Sequence, residues 1–361
     1  MLRILKPGIL STIQDLGRLT TRTYGVPVGG AMDTLAHRLA NAVLGNPATV
    51  ASIEIAGGHF AAAVEEKCAI AYFGAGGSLW VDQIPVPSGE ALVIPTGALL
   101  EVRPCPFGNY SYLAIAGGWA AREVLKSRAT CLVANFGGHH GRALQVGDVL
   151  KGEVNEALLS AKAFLGTAFL PKQKYGISLR QFPELYPLGG AQQLDLPENR
   201  DKQKNMPLLI RVLSGPEWHC WRPAQRDLFG QTLFVVSSQR NRMGIRLQMA
   251  DQSQAEQPFQ GSTYPAAAAS MLSTGVCIGA IQIPPSGGPI VLGADAQTVG
   301  GYPRLAQVTT VDLPKLVQAP VGQKVLFQAI ALEMAENLLF QETLKLKRLS
   351  AGYRFRTTFQ Q

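Results

Sequence analysis

The chain has 361 residues, 47% of them apolar and only 16% charged, which provides for sizeable cores and excludes a disordered chain. That length exceeds one ordinary domain, so two are expected. Half of the formal charge of +8 lies in the last stretch, where Lys345, Lys347, Arg348, Arg354 and Arg356 face only Glu342. The basic balance therefore reads as a solvated tail, and no nucleic-acid partner is expected.

The 38 glycines and 23 prolines point to many turns rather than long helices. In the first part of the chain, residues 67–73, 91–94, 99–102 and 110–116 have strand length and carry β-branched or aromatic side chains. A helix is predicted over residues 34–44, with Asp33 as N-cap, Leu35, Ala36, Leu39, Ala40 and Val43 as its apolar stripe, and Gly45 as its stop. Gly74-Ala-Gly-Gly77 resembles the opening of a dinucleotide-binding loop, but Leu79 and a strand follow, so it reads as a tight β-turn. Residues 171–206, proline-spaced and ending in a polar run, read as a linker or surface excursion.

A second strand-rich block follows over residues 208–213, 233–236, 279–283, 289–292 and 324–327. The apolar region around 271–283 is interrupted by Ser273, Thr274 and Gln282 and is too short to span a bilayer, so no membrane partner is expected. Residues 331–349 read as a helix with Met334, Ala335, Leu338 and Leu339 facing a core. Strands without alternating helices favour a mainly β fold of barrels or sandwiches. The expected division is 1–170 for one β-rich domain, 207–335 for a second, and 336–361 for a basic helical tail.

Five scattered cysteines without a CxxC pair, and no long apolar leader after Met1, suit a soluble cytoplasmic protein. The pair His139–His140 tempts a metal reading, but adjacent side chains diverge and no ligand sits at the right spacing, so no metal site is expected. GxxxxGK[ST], HExxH and GxSxG are absent. Three Gly-flanked polar clusters remain. The first holds Gln14, Asp15, Arg18 and Asp33; the second Arg242 and Arg246; the third Gln282, Asp295, Gln297, Thr298, Tyr302 and Arg304. Arginine forks beside amides and carboxylates suit a carboxylate or carbamoyl-type ligand; the alternative is that they tie loops together.

Several stretches carry a resemblance to a known family. They are Ile13-Gln-Asp-Leu-Gly-Arg18, Gly30-Ala-Met-Asp33, Arg38-Leu-Ala-Asn41, Ala116-Gly-Gly118, Phe136-Gly-Gly138, Ser214-Gly-Pro216, Asn241-Arg-Met-Gly244, Gln282-Ile-Pro284 and Asp295-Ala-Gln-Thr298 with Gly300-Gly-Tyr-Pro-Arg304. In this order they resemble the biotin-dependent carboxyltransferase-like family, which includes the C-type subunit of bacterial 5-oxoprolinase, the second subunit of allophanate hydrolase and Kip-type antagonists of a kinase inhibitor. Ile245 and Val299 stand where the family commonly has tyrosine and threonine.

The resemblance implies two cyclophilin-like barrel domains and a hydrolase acting on a cyclic amide as one subunit of a complex. ATP-driven opening of 5-oxo-L-proline to L-glutamate would then require two partner subunits, with ATP bound by a partner. Under that reading Asp33, Asp295 and Arg242 are the catalytic candidates. Gln14, Asp15, Arg18, Arg246, Gln282, Gln297, Thr298, Tyr302 and Arg304 are the substrate-binding ones. The alternatives are the carboxyltransferase part of a urea carboxylase-like system, with biotin arriving on another protein, and a non-enzymatic antagonist.

Overall fold

The computed structural model describes residues 1–153, 206–251, 259, 264–265 and 271–359, the last few as backbone only. Apart from Met206, the expected linker lies outside the described residues. The chain divides into two compact units. Among the described residues, the first comprises Met1–Arg18, residues 29–153 and the chain from Glu342; the second comprises Leu19–Val28 and the remainder up to Gln341. The division expected from sequence keeps residues 1–170 together and sets the tail apart. In the structure a short excursion, Leu19–Val28, groups with the second unit, and the tail from Glu342 groups with the first.

The first unit contains β1 (Leu2–Pro7), β2 (Leu10–Gln14), β3 (Ser52–Ala56), β4 (Phe60–Val64), β5 (Cys68–Gly74) and β6 (Gly77–Val81). It continues with β7 (Ile84–Val86), β8 (Ala91–Ile94), β9 (Leu99–Pro104), β10 (Tyr110–Ile115) and β11 (Val149–Leu150). These form a six-stranded sheet in the order β11-β1-β4-β9-β6-β7 and a five-stranded sheet in the order β2-β3-β10-β5-β8. Alternation decides which side of a strand is inside. In β1, Leu2 and Ile4 are buried while Arg3 and Leu5 are exposed. Inward side chains of both sheets, among them Ile4, Ile53, Phe60, Ile70, Leu100, Val102 and Leu113, make one apolar core that also includes Trp119. In this unit the expected barrel takes the form of two packed sheets, because the ladders do not close on one another. Gly74–Gly77 is the predicted tight connection, leading from β5 straight into β6.

Helix α1 (Thr34–Ala42) begins where predicted. Asp33 Oδ1 accepts the Ala36 N–H at 2.9 Å, satisfying one of the free donors of the first turn. Leu35, Ala36, Leu39 and Ala40 are buried, and the chain turns away through Gly45 at φ 70°.

The second unit contains β12 (Leu208–Ser214), α2 (Pro223–Gln231), β13 (Phe234–Asn241), β14 (Gly244–Met249), β15 (Thr274–Gly275) and β16 (Ala280–Gln282). After these come β17 (Ile290–Leu292), β18 (Val299–Gly300), β19 (Arg304–Val308), α3 (Leu313–Gln318) and β20 (Lys324–Ala329). Seven strands close into a barrel in the order β12-β19-β16-β17-β14-β13-β20, sealed by a parallel ladder from Leu208↔Val325 to Val212↔Ala329. Its core is aromatic: Phe229 of α2 stacks on Phe327 at 4.9 Å, with Phe234 tilted against both. A two-stranded ribbon, β15–β18, is separate from the barrel ladder.

Helix α4 (Leu332–Phe359) is longer than the sequence suggests. Met334 is 55% exposed and Leu339 36% exposed, so the stripe expected to face a core does not; Leu346 and Leu349 are the buried positions instead. Among the described residues, no helix is long and apolar enough to cross a membrane. Replacing the cap by Asp33→Ala should cost about 1 kcal/mol through loss of the N-terminal bond, measured as a lower urea midpoint with an unchanged slope.

Candidate functional site

The first polar cluster is spent largely on building loops. Asp15 is buried; its Oδ1 accepts from Gly17 N and Ser127 Oγ, each at 2.7 Å, and its Oδ2 accepts from Arg128 N at 2.6 Å. Its own carbonyl takes Ala31 N–H at 2.8 Å. Arg18 is buried, donates to the Val124 and Ala129 carbonyls, and lies 4.7 Å from the centre of the Phe136 ring. Gln14 is fully buried; its Nε2 donates to Thr12 Oγ1 and the Thr130 carbonyl, while its Oε1 has no hydrogen-bond partner.

Asp33 sits at the head of a buried chain of polar groups that the sequence clusters do not include. Its N–H donates to Tyr112 Oη at 2.7 Å, and that hydroxyl donates to Glu54 Oε2 at 2.7 Å. Glu54 also accepts from Met32 N at 2.8 Å. Burial, with the charges of Glu54 and Asp33, holds the Tyr112 phenol well above its ordinary range, so it stays a neutral donor. One turn along α1, buried His37 donates from Nε2 to the Ala48 carbonyl at 3.0 Å and accepts the Ser52 hydroxyl at Nδ1. Burial lowers its pKa to about 4.

In the second unit, Arg242 and Asp295 are both buried and form a two-pronged ion pair, Nε to Oδ2 at 2.7 Å and Nη2 to Oδ1 at 2.8 Å. Asp295 N–H also donates to the Arg242 carbonyl at 2.9 Å. Each neutralises the other, and together they fasten the loop after β17 to the β13–β14 turn. Arg304 makes a second fork with Glu217 at 2.9 and 2.6 Å and donates to the Gly275 carbonyl at 2.5 Å. The Arg304 guanidinium holds the Glu217 carboxyl below its usual range.

Ladder register brings the rest together. Arg246 pairs with Ile290, Ile290 with Gln282, and Gln282 with Arg304, so these four side chains form a row across β14, β17, β16 and β19. Their neighbours Ile245, Leu247, Ile281 and Val291 are buried on the opposite, inner face. The row thus lies on the outer surface of the barrel. Arg246 is exposed. Gln282 is buried beneath the ribbon and donates from Nε2 to the Tyr302 carbonyl at 3.2 Å. Gln297 and Tyr302 are exposed at its rim, and the Thr298 carbonyl accepts Val276 N–H at 3.0 Å. Beside them Tyr264 donates to the Ile283 carbonyl at 2.9 Å, its phenol pushed up to about 12 by burial and by Tyr302.

Sequence reasoning misses Glu217 and Tyr112, whose partners Arg304 and Glu54 lie far away along the chain. Ile245, between the cluster residues Arg242 and Arg246, points into the barrel core, since the alternation Ile245-in, Arg246-out, Leu247-in, Gln248-out is that of a strand. Arg142 and His139 both reach Asp148, at 2.7 and 3.3 Å, so His139 makes an internal contact beside the Arg142–Asp148 ion pair.

Asp295→Ala leaves Arg242 buried without its counter-charge and should cost about 3–5 kcal/mol, read as a large fall in the urea midpoint. His37 is held neutral in the folded chain while the unfolded chain protonates near pH 6.5. Stability should therefore fall as pH drops from 6.5 towards about 4. That part of the decline should vanish in His37→Gln when the two stability curves are compared.

The sequence matches the model of the carboxyltransferase domain, subdomain A and B, over residues 24–329. It is 31% identical to the C-type subunit of 5-oxoprolinase from Haemophilus influenzae over 94% of both chains, and 33% identical to that of Escherichia coli over 93% of both. The crystal structure of K. lactis urea amidolyase aligns at 25% identity with a TM-score of 0.75, over 96% of this chain but only 20% of that much longer one. The chain is thus a member of the carboxyltransferase (subdomain A and B) family.

Proposed function

We propose that this chain is the C-type subunit of a complex that opens the lactam of 5-oxo-L-proline to L-glutamate, driven by ATP. The observation that carries this reading is the identity of 31–33% sustained along nearly the full length of two C-type subunits of 5-oxoprolinase. Two partner subunits complete the assembly.

Gly74–Gly77 is not a classical phosphate loop. It joins two strands, whereas the classical phosphate loop leads into a helix N-terminus. In this proposal a partner holds the nucleotide, and this chain contributes to binding and orienting the lactam. Arg246, exposed and without an acidic partner in its row, supplies the charge for the substrate carboxylate. Gln282, Gln297, Thr298 and Tyr302 supply neutral polar groups around the ring. Arg242–Asp295 and Arg304–Glu217 act as positioning pairs that hold the loops carrying those groups. Asp33, Asp15, Arg18 and Gln14 support the first unit's loops in the same way.

The deciding experiment is 5-oxoproline-dependent glutamate release from the complex of three subunits, with this chain added or omitted. Release that requires both ATP and this chain is expected, and Arg246→Ala should raise KM by about tenfold, the worth of one charge-assisted contact. Unchanged release without this chain overturns the reading.

A second reading has its own support in the urea amidolyase match: carboxyl transfer with biotin supplied by another protein. No Met-Lys-Met biotinylation motif occurs in this sequence. A biotinylated band co-purifying with the native complex on a streptavidin blot favours it, and absence of that band counts against it.

A further inference from the structure

Two neighbouring residues of the first unit hold a backbone conformation that their side chains disfavour. Leu125 has φ 55° and Lys126 φ 62°. On either side, Val124 N–H donates to the Ser127 carbonyl at 2.8 Å and Ser127 N–H to the Val124 carbonyl at 3.3 Å. This is the two-residue hairpin turn with left-handed central positions, which Asn-Gly or Asp-Gly ordinarily fills. The β6–β7 connection has the same form, with Asp82 at φ 48° and Gln83 at φ 68° between the paired Val81 and Ile84. There the aspartate tolerates the conformation, and its Oδ1 accepts Leu99 N–H at 2.8 Å. A leucine has no polar atom to do likewise, and Leu125 is the one aliphatic side chain held at positive φ among the described residues.

The turn is anchored to the fold without either side chain. The Val124 carbonyl accepts Arg18 Nε at 3.1 Å, Ser127 Oγ donates to Asp15 Oδ1 at 2.7 Å, and Arg128 N–H donates to Asp15 Oδ2 at 2.6 Å. These bonds would hold an Asn-Gly tip equally well. Leu125 is instead 48% exposed, and Lys126 and Arg122 are exposed with no ion pair among the described residues. Glu123, the acid of this segment, pairs with Arg128 at 3.6 Å. Strain kept at an exposed tip, where a relaxed pair would serve the fold, points to an outward role. One leucine buries too little to hold a bilayer, and two cations are too few to neutralise a run of phosphates. A protein pocket suits the tip better: a pre-set turn loses little freedom on docking, and the cations select an acidic rim.

We propose that the Leu125–Lys126 turn docks into an apolar hollow with an acidic rim on another subunit of the assembly. That the occupant is a subunit rests on the function proposed above; the strained, outward-facing tip is a property of this chain alone. Leu125 is then the anchor of the contact, and Lys126 and Arg122 set its orientation by charge.

The test compares full-chain variants for their thermal midpoint alone and, by calorimetry, for assembly with the two partner subunits. Leu125→Asn combined with Lys126→Gly relaxes the turn, so the midpoint should rise by about 3 °C while affinity for the partners falls. Leu125→Ala keeps the left-handed backbone but removes the anchor, and should weaken assembly about tenfold with little change in midpoint. Lys126→Glu should weaken assembly most at low salt. No gain in midpoint for the double variant, or assembly of Leu125→Ala equal to that of the unaltered chain, overturns the inference. Unaltered assembly alongside Leu125-dependent binding to phosphatidylserine vesicles overturns it in favour of a membrane surface. Equal assembly, with glutamate release that still needs this chain, leaves the proposed function standing. Leu125-dependent assembly that yields no glutamate release removes that function and keeps the docking tip. No assembly of the unaltered chain overturns both.

Discussion

The outer face of the barrel depends on the fork between Arg242 and Asp295. Arg242 ends one strand's turn and Asp295 begins the loop that runs through Gln297 to Tyr302, so the pair fixes where that loop leaves the barrel. Two backbone bonds reinforce it: Asp295 N–H to the Arg242 carbonyl, and Gly293 N–H to the Met243 carbonyl. Gly293 must be small, because a Cβ there would fall 2.4 Å from the Arg242 oxygen. A guanidinium and a carboxylate removed from water together are tolerable only when both prongs are satisfied, and they are. Arg246, Gln297 and Tyr302 are exposed on this face, while the Arg242–Asp295 pair that fixes its shape is buried.

The first unit applies the same logic with neutral donors. Glu54 and Asp33 are both buried near Tyr112, and the phenol, kept protonated, mediates between them. His37 is likewise kept neutral so that one ring nitrogen donates and the other accepts. Such arrangements are cheap only while every member keeps its partner, which explains why the turn around Gly30 is so closely fitted: a Cβ there would lie 2.6 Å from Gly17 N.

Much of the fold is legible because it rests on local rules. Residues 91–94 read as a strand and are one, and Asp33 caps α1 as its position before an apolar stripe requires. Strands dominated by polar residues are harder. β14 hides its two-residue period among arginines and glutamines, and so reads as a ligand cluster. The row Arg246–Ile290–Gln282–Arg304 is legible as four polar or apolar residues, but not as neighbours, because register is a property of strands far apart in sequence. Likewise nothing local announces that Arg304 belongs to Glu217, or that Leu19–Val28 groups with a unit whose strands begin at Leu208. The stripe on α4 fails for the opposite reason: its apolar residues have helical spacing, yet periodicity cannot say where along a helix burial begins.

The barrel's parallel seal has a consequence for biosynthesis. β20 is the last barrel strand to be made, and it pairs with both β12 and β13. Until Lys324–Ala329 has emerged from the ribosome, the first strand of the barrel and the outer strand of its main hairpin each present an open edge, and unpaired edges recruit other chains. The barrel is thus committed to folding after synthesis of its final strand rather than hairpin by hairpin, with slow closure set by the long separation of the ends being joined. A nascent chain stalled shortly before residue 324 would carry two unpaired barrel edges and be prone to aggregate through them.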